Sequence, residues 1–309
     1  MALITFLKDY LYLINEEKYD IIHCHVHFFC GFLSFVSKLV GAKLFISHSH
    51  ITSDGQADSF FRNLYRRFMR IFINIFSNYL LAVSNDAGEK LFGTRALKSN
   101  KFKIIRCGIA VDNCEIKNAN NNLIYDLYNI KNKKIIIGNV ARFHEQKNHI
   151  YLLAIMKNLI EIDNRFYLIL VGDGPLRNLI QKKILEYNLF DNVRLLGSVD
   201  NASAIMNLFD VFIMPSKYEG LPVAALEAQA AGIPVILSDR ITNEVSVVEE
   251  LVTFLALEIG PSSWAQKIIS IIERKPSVNK KYIKIKFEES GFSLDYVVKE
   301  LTNLYERAI

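Results

Sequence analysis

Cysteine is scarce in this sequence, and the four cysteines do not form the pattern of a disulfide-stabilised domain. Cys24, Cys30, Cys107 and Cys114 also lack the two close pairs that are typical of a structural zinc site. We therefore predict that all four residues are reduced thiols in a cytoplasmic protein.

Long apolar runs are also missing. Charged residues interrupt every hydrophobic stretch before the roughly 18 residues that a membrane-spanning helix requires. The first 25 residues lack the basic region, the apolar region and the cleavage site of a signal peptide. We expect a soluble or peripheral protein.

A strong excess of one charge is absent as well. The chain has 37 Lys and Arg residues against 32 Asp and Glu residues, which gives a net charge of +5. This excess is too small to indicate a nucleic-acid partner, but it is compatible with an anionic ligand or an anionic membrane surface. With 51% hydrophobic residues, the 309-residue chain is long enough to form two cores of ordinary domain size.

Short apolar runs alternate with longer stretches of helical periodicity, which is typical of a parallel sheet covered by helices. In the first half, a helix is predicted at 28–39, and the predicted strands are 19–25, 42–47, 79–84 and 103–106. In the second half, the predicted strands are 134–140, 167–171, 193–196, 211–214 and 234–237. Only helices are predicted after the last strand.

The pattern predicts two α/β domains of the doubly wound type. We place them at 1–116 and 133–285, joined by the polar, Asn-rich stretch 115–132, and we expect a final helix within 290–309 to pack back on the first domain. Ligands of such sheets bind outside the carboxyl ends of the strands, and helix N-termini there attract anions. Two such domains are expected to face each other across a cleft.

Two glutamates follow the predicted strand 211–214. Glu219 lies in the loop after the strand, and Glu227 lies about one turn into the next helix. A carboxylate can accept two hydroxyl hydrogen bonds at once, which suits recognition of ribose or hexose. The turn Gly220-Leu221-Pro222 between them allows backbone amides to approach a phosphate. The alternative is a solvated helix N-terminus with a favourable acid in its first turn.

Two cations follow the first strand of the second half. Arg142 and Lys147 flank a loop that leads into a helix, so both charges and the helix N-terminus can stabilise a diphosphate leaving group. The alternative is a pair of exposed surface cations. A glycine turn, Gly172-Asp173-Gly174-Pro175, follows the next strand, although any tight turn can use such a sequence.

These segments resemble the motifs of the family-4 glycosyltransferases, the large retaining GT-B group that includes exopolysaccharide and capsule enzymes. Over 104–239 the matching motifs stand in family order: IRCGIAVD, VARFHEQKNH, LVGDGPLR, VRLLGSV and DVFIMPSKYEGLPVAALEAQAAGIPVILSD. The similarity extends into the first half through DIIHCH and the strand that ends in ISHSH. The resemblance implies the GT-B fold, with two Rossmann-like doubly wound domains facing a cleft.

The resemblance also implies an activity: transfer of a sugar from a nucleotide-diphosphate donor, by default a UDP-sugar, to a saccharide or lipid-linked acceptor, with retention at the anomeric carbon. In front-face transfer the leaving phosphate oxygen assists deprotonation of the acceptor, so stabilisation of the diphosphate supplies much of the rate. The sequence offers no Asp-x-Asp pair in a convincing donor loop. We therefore expect no cofactor and no metal.

The resemblance assigns roles to individual residues. Arg142 and Lys147 would bind the donor diphosphate, Glu219 the donor sugar and Glu227 the nucleotide ribose. The sugar and phosphate would be supported by the backbone of Gly220, Leu221, Pro222 and Val223. The nucleotide site would be shaped by Gly172, Asp173, Gly174 and Pro175, with 194–197 beside the base.

Histidines are concentrated in the first half. His48 resembles the family's active-site histidine, and His50 is the competing assignment. His23, His25 and His27 alternate, so on a strand they would share one face. Zinc binding is conceivable there, but no acid or thiolate partner is evident. We favour His23 and His25 as residues that line the cleft, with His27 at the start of a loop.

The chain departs from the family at its start, because the strand DIIHCH already begins at Asp20. About 60 residues, or two βα units of about 30 residues each, would precede it in a typical member, including a glycine-rich loop. We expect a truncated first domain, and a partner chain that supplies the missing segment is one interpretation. The alternative functions are an impaired homologue or split-enzyme subunit that binds nucleotide sugar and, less favoured, a nucleotide-sugar epimerase.

Basic and aromatic residues alternate with helical spacing over 60–72. Such a helix can lie on the anionic inner face of a membrane, where a lipid-linked acceptor would be reached. The alternative is a helix that packs on the first sheet with its arginines outward.

Overall fold

The structure is a computed structural model that describes residues 2–50, 58–114, 135–274, 276 and 278–306. The chain divides into two compact units, Met1–Gly108 with Asp295–Ile309, and Ile109–Leu294. The first segment of this unit ends at Gly108, and the domain bounds 1–116 and 133–285 stay a prediction. The predicted linker at 115–132 lies outside the described residues.

Strands and α-helices alternate over most of the described chain. The strands are β1 (Ile21–Cys24), β2 (Leu44–Ser49), β3 (Tyr79–Ala82), β4 (Phe102–Ile104), β5 (Ile135–Val140), β6 (Phe166–Val171), β7 (Val193–Gly197), β8 (Val211–Met214), β9 (Val235–Ser238) and β10 (Val252–Leu255). The α-helices are α1 (Ala2–Glu17), α2 (Cys30–Leu39), α3 (Phe60–Phe76), α4 (Asn85–Phe92), α5 (His149–Ile162), α6 (Arg177–Glu186), α7 (Ala202–Met206), α8 (Val223–Ala230), α9 (Gly260–Arg274), α10 (Lys280–Glu289) and α11 (Leu294–Glu306).

The first unit contains a parallel sheet in the order β1-β2-β3-β4. All six residues of β2 are buried, because successive side chains of a strand point to opposite faces and helices cover both faces here. Phe45 packs in one core with residues of α2 and α4. Leu44 and Ile46 pack in another core with Val297 and Leu304 of α11.

The second unit contains a parallel sheet in the order β10-β9-β8-β5-β6-β7. From β5 the chain adds β6 and β7 on one side, and then β8, β9 and β10 on the other side. Neighbouring residues of β5 again face separate cores, with Ile136 in one and Ile137 in the other. The strand order therefore reverses beside β5, and doubly wound sheets bind ligands at such a switch point.

One element differs from the sequence prediction. The expectation that only helices follow the strand at 234–237 was wrong, because β10 pairs in parallel with β9 through Val252 to Leu255. This strand lies inside a longer apolar run, Leu251 to Ile259, interrupted only by Thr253 and Glu258. Periodicity alone does not distinguish such a short strand from a buried helical segment.

The described helices also bear on the membrane question. No helix in the described ranges combines the length and apolar character that crossing a membrane requires.

Candidate functional site

Three loops meet at the carboxyl edge of the second sheet. They follow β6, β5 and β8, which are neighbours in the sheet. These loops contain the donor-site residues predicted from the sequence, apart from 194–197 on β7 and from Val223 and Glu227 on α8.

The loop after β5 lies directly against the glycine turn after β6. The Phe143 amide donates to the Asp173 carbonyl oxygen at 2.9 Å, and the Leu176 amide donates to the Phe143 carbonyl oxygen at 3.1 Å. A Cβ atom on Gly174 would lie 2.5 Å from that Phe143 oxygen. Only glycine therefore fits this position without a shift of the backbone.

Gly172 is constrained in the same way and also by its conformation. Its φ is +132°, and a Cβ atom would lie 2.1 Å from the carbonyl oxygen of Ala141. Its amide donates to the carbonyl oxygen of Gly197 at 2.8 Å, which ties the turn to the end of β7. The predicted glycine turn is thus a contact point between three strand ends.

The other two residues of this turn are exposed. Asp173 accepts a hydrogen bond from the Gly174 amide at 2.7 Å and forms an ion pair with Arg177 at 2.9 Å. Pro175 precedes α6 and faces solvent. The structure explains their conformation, whereas their role toward a nucleotide stays a prediction.

The loops after β5 and β8 are joined by several contacts. The Lys217 amide donates to the Gln146 carbonyl oxygen at 2.8 Å, and Gln146 Nε2 donates to the Tyr218 carbonyl oxygen at 2.8 Å. Lys217 Nζ also lies 2.7 Å from a Glu145 carboxylate oxygen. Residues that are more than 70 positions apart in sequence therefore form one structure.

Lys147 and Glu219 meet within this structure. Lys147 Nζ lies 2.7 Å from Glu219 Oε1, and the two side chains are 20% and 7% exposed. The backbone of Glu219 also forms a bridge with Ile241, which follows β9. The structure thus brings together a predicted diphosphate cation and the predicted sugar-binding acid.

Arg142 is placed differently. It lies in the same loop as Lys147 but is exposed. In the described part of the chain, no hydrogen bond or ion pair engages its guanidinium group. This cation is therefore available for an anionic ligand.

Glu227 lies half-buried on α8. Burial raises the pKa of its carboxyl group, and no described residue forms a hydrogen bond or ion pair with it. Burial, followed by the nearby charge of Glu227, raises the pKa of Cys114 to about 11. Because the fold does not use this carboxylate, a ligand can.

The segment before Glu227 contains the start of α8. Pro222 is the residue before the helix, so Val223 and Ala224 stand in the first turn, where amides lack helical acceptors. Gly220 does not have a positive φ, so the turn does not require glycine for its backbone conformation. Pro222 has no amide hydrogen and cannot donate a hydrogen bond. The other residues predicted to bind through the backbone, Gly220, Leu221 and Val223, carry an amide hydrogen.

His48 lies in the first unit and is 5% exposed. Its Nδ1 is 3.1 Å from His23 Nε2, and its Nε2 is 3.3 Å from the Ile105 carbonyl oxygen. Burial, with smaller effects of His50, His23 and His25, lowers the pKa of His48 to about 2. The competing residue, His50, is exposed. Partial desolvation of its ring, followed by the nearby His25, lowers the pKa of His50.

The other histidines do not all share one face of a strand. His27 begins a short 3₁₀ helix, His27–Phe29, and its ring contacts Phe28, whereas His23 lies on β1 and His25 directly follows β1. The cluster is instead formed by His23, His25, His48 and His50. The sequence did not predict this grouping, because the grouping requires the pairing of β1 with β2.

Comparison with known proteins agrees with the folds of both units. The family model described as glycosyl transferases group 1 matches residues 125–287, and the model of glycosyltransferase family 4 matches residues 2–113. The chain is 34% identical over 304 residues to the putative glycosyltransferase EpsF of Bacillus subtilis, with 98% of this chain and 79% of that protein covered.

Two further relatives have more specific names. CapH, a capsular polysaccharide biosynthesis glycosyltransferase of Staphylococcus aureus, is 27% identical, with 97% of this chain and 81% of that protein covered. The UDP-Gal:alpha-D-GlcNAc-diphosphoundecaprenol alpha-1,3-galactosyltransferase of Escherichia coli is 26% identical, with 95% and 76% covered.

A solved structure shares the fold. The crystal structure of Anabaena HepE in complex with UDP has a TM-score of 0.79 at 16% identity, with 97% of this chain and 81% of that chain covered.

The two parallel-sheet units, with loops gathered at the carboxyl edge of the second sheet, define a GT-B protein. The chain belongs to the family-4 glycosyltransferases, so it is a transferase rather than an epimerase.

Proposed function

We propose that this glycosyltransferase transfers a sugar, with retention, from a UDP-sugar to a lipid-linked saccharide acceptor in the synthesis of a surface polysaccharide. The observation that carries the proposal is the meeting of Lys147 and Glu219 at the switch point of the second sheet. The name of CapH supports a surface polysaccharide as the product, and the name of the E. coli galactosyltransferase supports a lipid-linked acceptor. The HepE complex supports UDP as the nucleotide of the donor.

The donor's diphosphate is assigned to Arg142, Lys147 and the start of α8. Arg142 is exposed, and the first-turn amides of α8 lack helical acceptors, which favours an anion at this helix N-terminus. These groups stabilise negative charge as the sugar–phosphate bond breaks. We therefore propose that the donor diphosphate needs no metal ion.

The donor's hydroxyl groups are assigned to the two carboxylates. The ion pair with Lys147 holds one oxygen of Glu219 in place, and the second oxygen is proposed to accept a hydrogen bond from a sugar hydroxyl. Glu227 has no described partner, and it is proposed to bind the ribose through both oxygens. His48 remains the proposed active-site histidine.

Thermal unfolding in the presence of sugar nucleotides tests the donor assignment. We expect a UDP-sugar to raise the melting temperature of the wild type, because a ligand that binds the native state stabilises it. The Glu227→Ala variant is expected to lose this increase, whereas Glu161→Ala, an exposed glutamate of α5, keeps it. An unchanged increase in Glu227→Ala would show that the ribose assignment is wrong. The anomeric configuration of the product, measured by NMR, tests retention separately.

The acceptor side of the proposal rests on α3. One face of this helix packs on the core of the first unit through Tyr65, Met69 and Ile73. Five apolar residues on a flank of the helix, beside this packed face, are exposed, and we call them the α3 stripe: Phe61, Leu64, Phe68, Ile71 and Ile75. The exposed surface of α3 thus carries apolar residues as well as the exposed Arg67.

Cations lie beside the α3 stripe. A surface cavity of about 790 Å³ is lined by Ile71 of the stripe and by four basic residues, Arg67, Arg70, Arg95 and Lys101. None of the described residues that line it is acidic. An apolar face next to clustered cations complements an anionic membrane surface, and we propose that the α3 stripe binds one.

Sedimentation with lipid vesicles tests this surface. We expect the wild type to bind vesicles that contain phosphatidylglycerol, to bind phosphatidylcholine vesicles weakly, and to be released by salt. The Phe61→Ser/Phe68→Ser variant is expected to lose binding. The matched control is Leu185→Ser/Phe190→Ser, which removes equally exposed apolar residues of the second unit. Equal binding by both variants would contradict the assignment of the α3 stripe.

A further inference from the structure

Two His-x-His segments lie on adjacent strands of the first sheet. His23 belongs to β1 and His25 follows it, while His48 belongs to β2 and His50 follows it. The two strands are parallel, with His23 paired to Ile46 and Cys24 paired to Ser47. Residues i and i+2 of a strand point to the same face, and adjacent strands are about 4.8 Å apart. The pairing therefore gathers the imidazoles on one face.

The nitrogen atoms of three of these rings are close to one another. One ring nitrogen from each of His23, His25 and His48 lies within 4.8 Å of those of the other two. Two nitrogens that bind one zinc ion at about 2.1 Å are at most about 4.2 Å apart. Small rotations of the side chains bring the three rings to this spacing.

Each of the three rings also has a ring nitrogen close to a polar group outside this set of three. His23 Nδ1 lies 2.6 Å from the Tyr305 hydroxyl, and His48 Nε2 lies 3.3 Å from the Ile105 carbonyl oxygen. His25 Nδ1 lies 2.7 Å from His50 Nε2. Histidines that bind metals commonly hold an outer partner through their other nitrogen, which fixes the ring and its tautomer.

We propose that His23, His25 and His48 form a binding site for a divalent transition-metal ion of the zinc class. In this site His23 Nε2 and His48 Nδ1, now 3.1 Å apart, bind the ion in place of the proton that they share. His25 and His50 are exposed, so the ion enters from their side and keeps a fourth position there. The site goes beyond the proposed sugar transfer, and the donor diphosphate remains assigned to Arg142 and Lys147.

The chemistry of the ligands selects the ion. Imidazole nitrogen suits Zn²⁺, Co²⁺, Ni²⁺ and Cu²⁺, whereas Mg²⁺ and Ca²⁺ require oxygen ligands. The described cluster contains imidazoles and no carboxylate, and the sequence shows no acid or thiolate partner for the alternating histidines. The structure supplies a third imidazole, His48, in place of the acid or thiolate that the sequence lacked.

Binding of Co²⁺ and Zn²⁺ to the metal-free protein, purified without a polyhistidine tag, tests the site. We expect one Co²⁺ per chain, with the intense visible absorption of a four-coordinate ion, and displacement by Zn²⁺ in titration calorimetry. The His25→Gln variant, which removes an exposed ligand, is expected to bind at least about tenfold more weakly. Tyr305→Phe removes only the outer partner of His23 and is expected to weaken binding about tenfold.

The control is His144→Gln, which removes an exposed histidine of the second unit. This variant is expected to bind both ions as the wild type does. Circular dichroism establishes that each variant is folded, so that weaker binding reports on the ligands. The proposal is overturned if the wild type binds no stoichiometric metal, or if His25→Gln and Tyr305→Phe bind as tightly as His144→Gln.

Discussion

At the scale of a single residue, His149 links the fold of the second unit to pH. It is the first residue of α5 and is 1% exposed. Its ring contacts Phe143 edge-on at 4.9 Å between centroids, and neither ring nitrogen has a hydrogen-bond partner among the described residues. Burial, with a smaller effect of the Lys147 charge, lowers the pKa of His149 to about 4.

This pKa predicts a loss of stability in acid. The unfolded chain binds a proton at His149 near pH 6.5, whereas the folded chain binds it only near pH 4. The stabilising contribution is therefore complete above pH 6.5 and is lost as the pH falls to 4, with a total of about 3 kcal/mol. In urea unfolding of the second unit, His149→Leu is expected to lose less stability than the wild type between pH 7 and pH 4.

The matched control replaces an exposed histidine of the same loop. His144→Leu is expected to keep the wild-type dependence on pH, because the side chain of His144 is exposed to solvent. If the stability of His149→Leu fell with acid as steeply as that of His144→Leu, His149 would not be the residue responsible.

At the scale of elements, the sequence predicted more of the strands than of the contacts between them. The apolar runs of β5, β6 and β8 and their following loops were found because turn residues end each run. Which loops touch depends on the order of strands in the sheet, and this order arises from packing across the whole unit. The contact of Lys147 with Glu219, more than 70 residues apart, was therefore expected only through the family resemblance.

The same reason explains what was missed. Strand β10 lacks a recognisable period, and the histidine cluster depends on the register of β1 and β2. The close approach at Gly172 and Gly174 likewise becomes visible only when the loop after β5 is placed against them. Local patterns predicted each partner, but three-dimensional pairing determined which partners meet.

The two lysine–glutamate pairs that join the loops after β5 and β8 permit a matched comparison. Lys147 pairs with Glu219, whose side chain is 7% exposed, whereas Lys217 pairs with Glu145, whose side chain is 77% exposed. Removal of Lys147 leaves a buried carboxylate without its counter-charge. We expect Lys147→Met to lower the free energy of unfolding of the second unit by about 2–3 kcal/mol and to abolish stabilisation by a UDP-sugar.

Lys217→Met serves as the control for this pair. It removes an exposed ion pair that solvent screens, so both the urea midpoint and the stabilisation by a UDP-sugar are expected to match the wild type within error. Equal losses in the two variants would mean that the burial of Glu219 does not determine the effect.

At the scale of the whole molecule, the chain returns to its first unit after completing the second. Helix α11 supplies Val297 and Leu304 to the core that contains Leu44, Ile46 and Leu81. The Tyr305 hydroxyl also contacts His23 of β1. The first unit is therefore made of two segments that are separated in sequence by the entire second unit.

This arrangement predicts where a core mutation near the end of the chain acts. Leu304 is 2% exposed, so Leu304→Ala is expected to destabilise the first unit by about 2–5 kcal/mol, because it removes buried methyl groups and leaves a cavity. Hydrogen–deuterium exchange should show faster exchange in β1, β2 and β3, and unchanged exchange in β5, β6 and β8. Val298→Ala on the same helix, where the side chain is 52% exposed, is the control and should change neither set. Faster exchange of the second sheet in Leu304→Ala would contradict the assignment of α11 to the first unit, because the cavity lies among residues of the first unit alone.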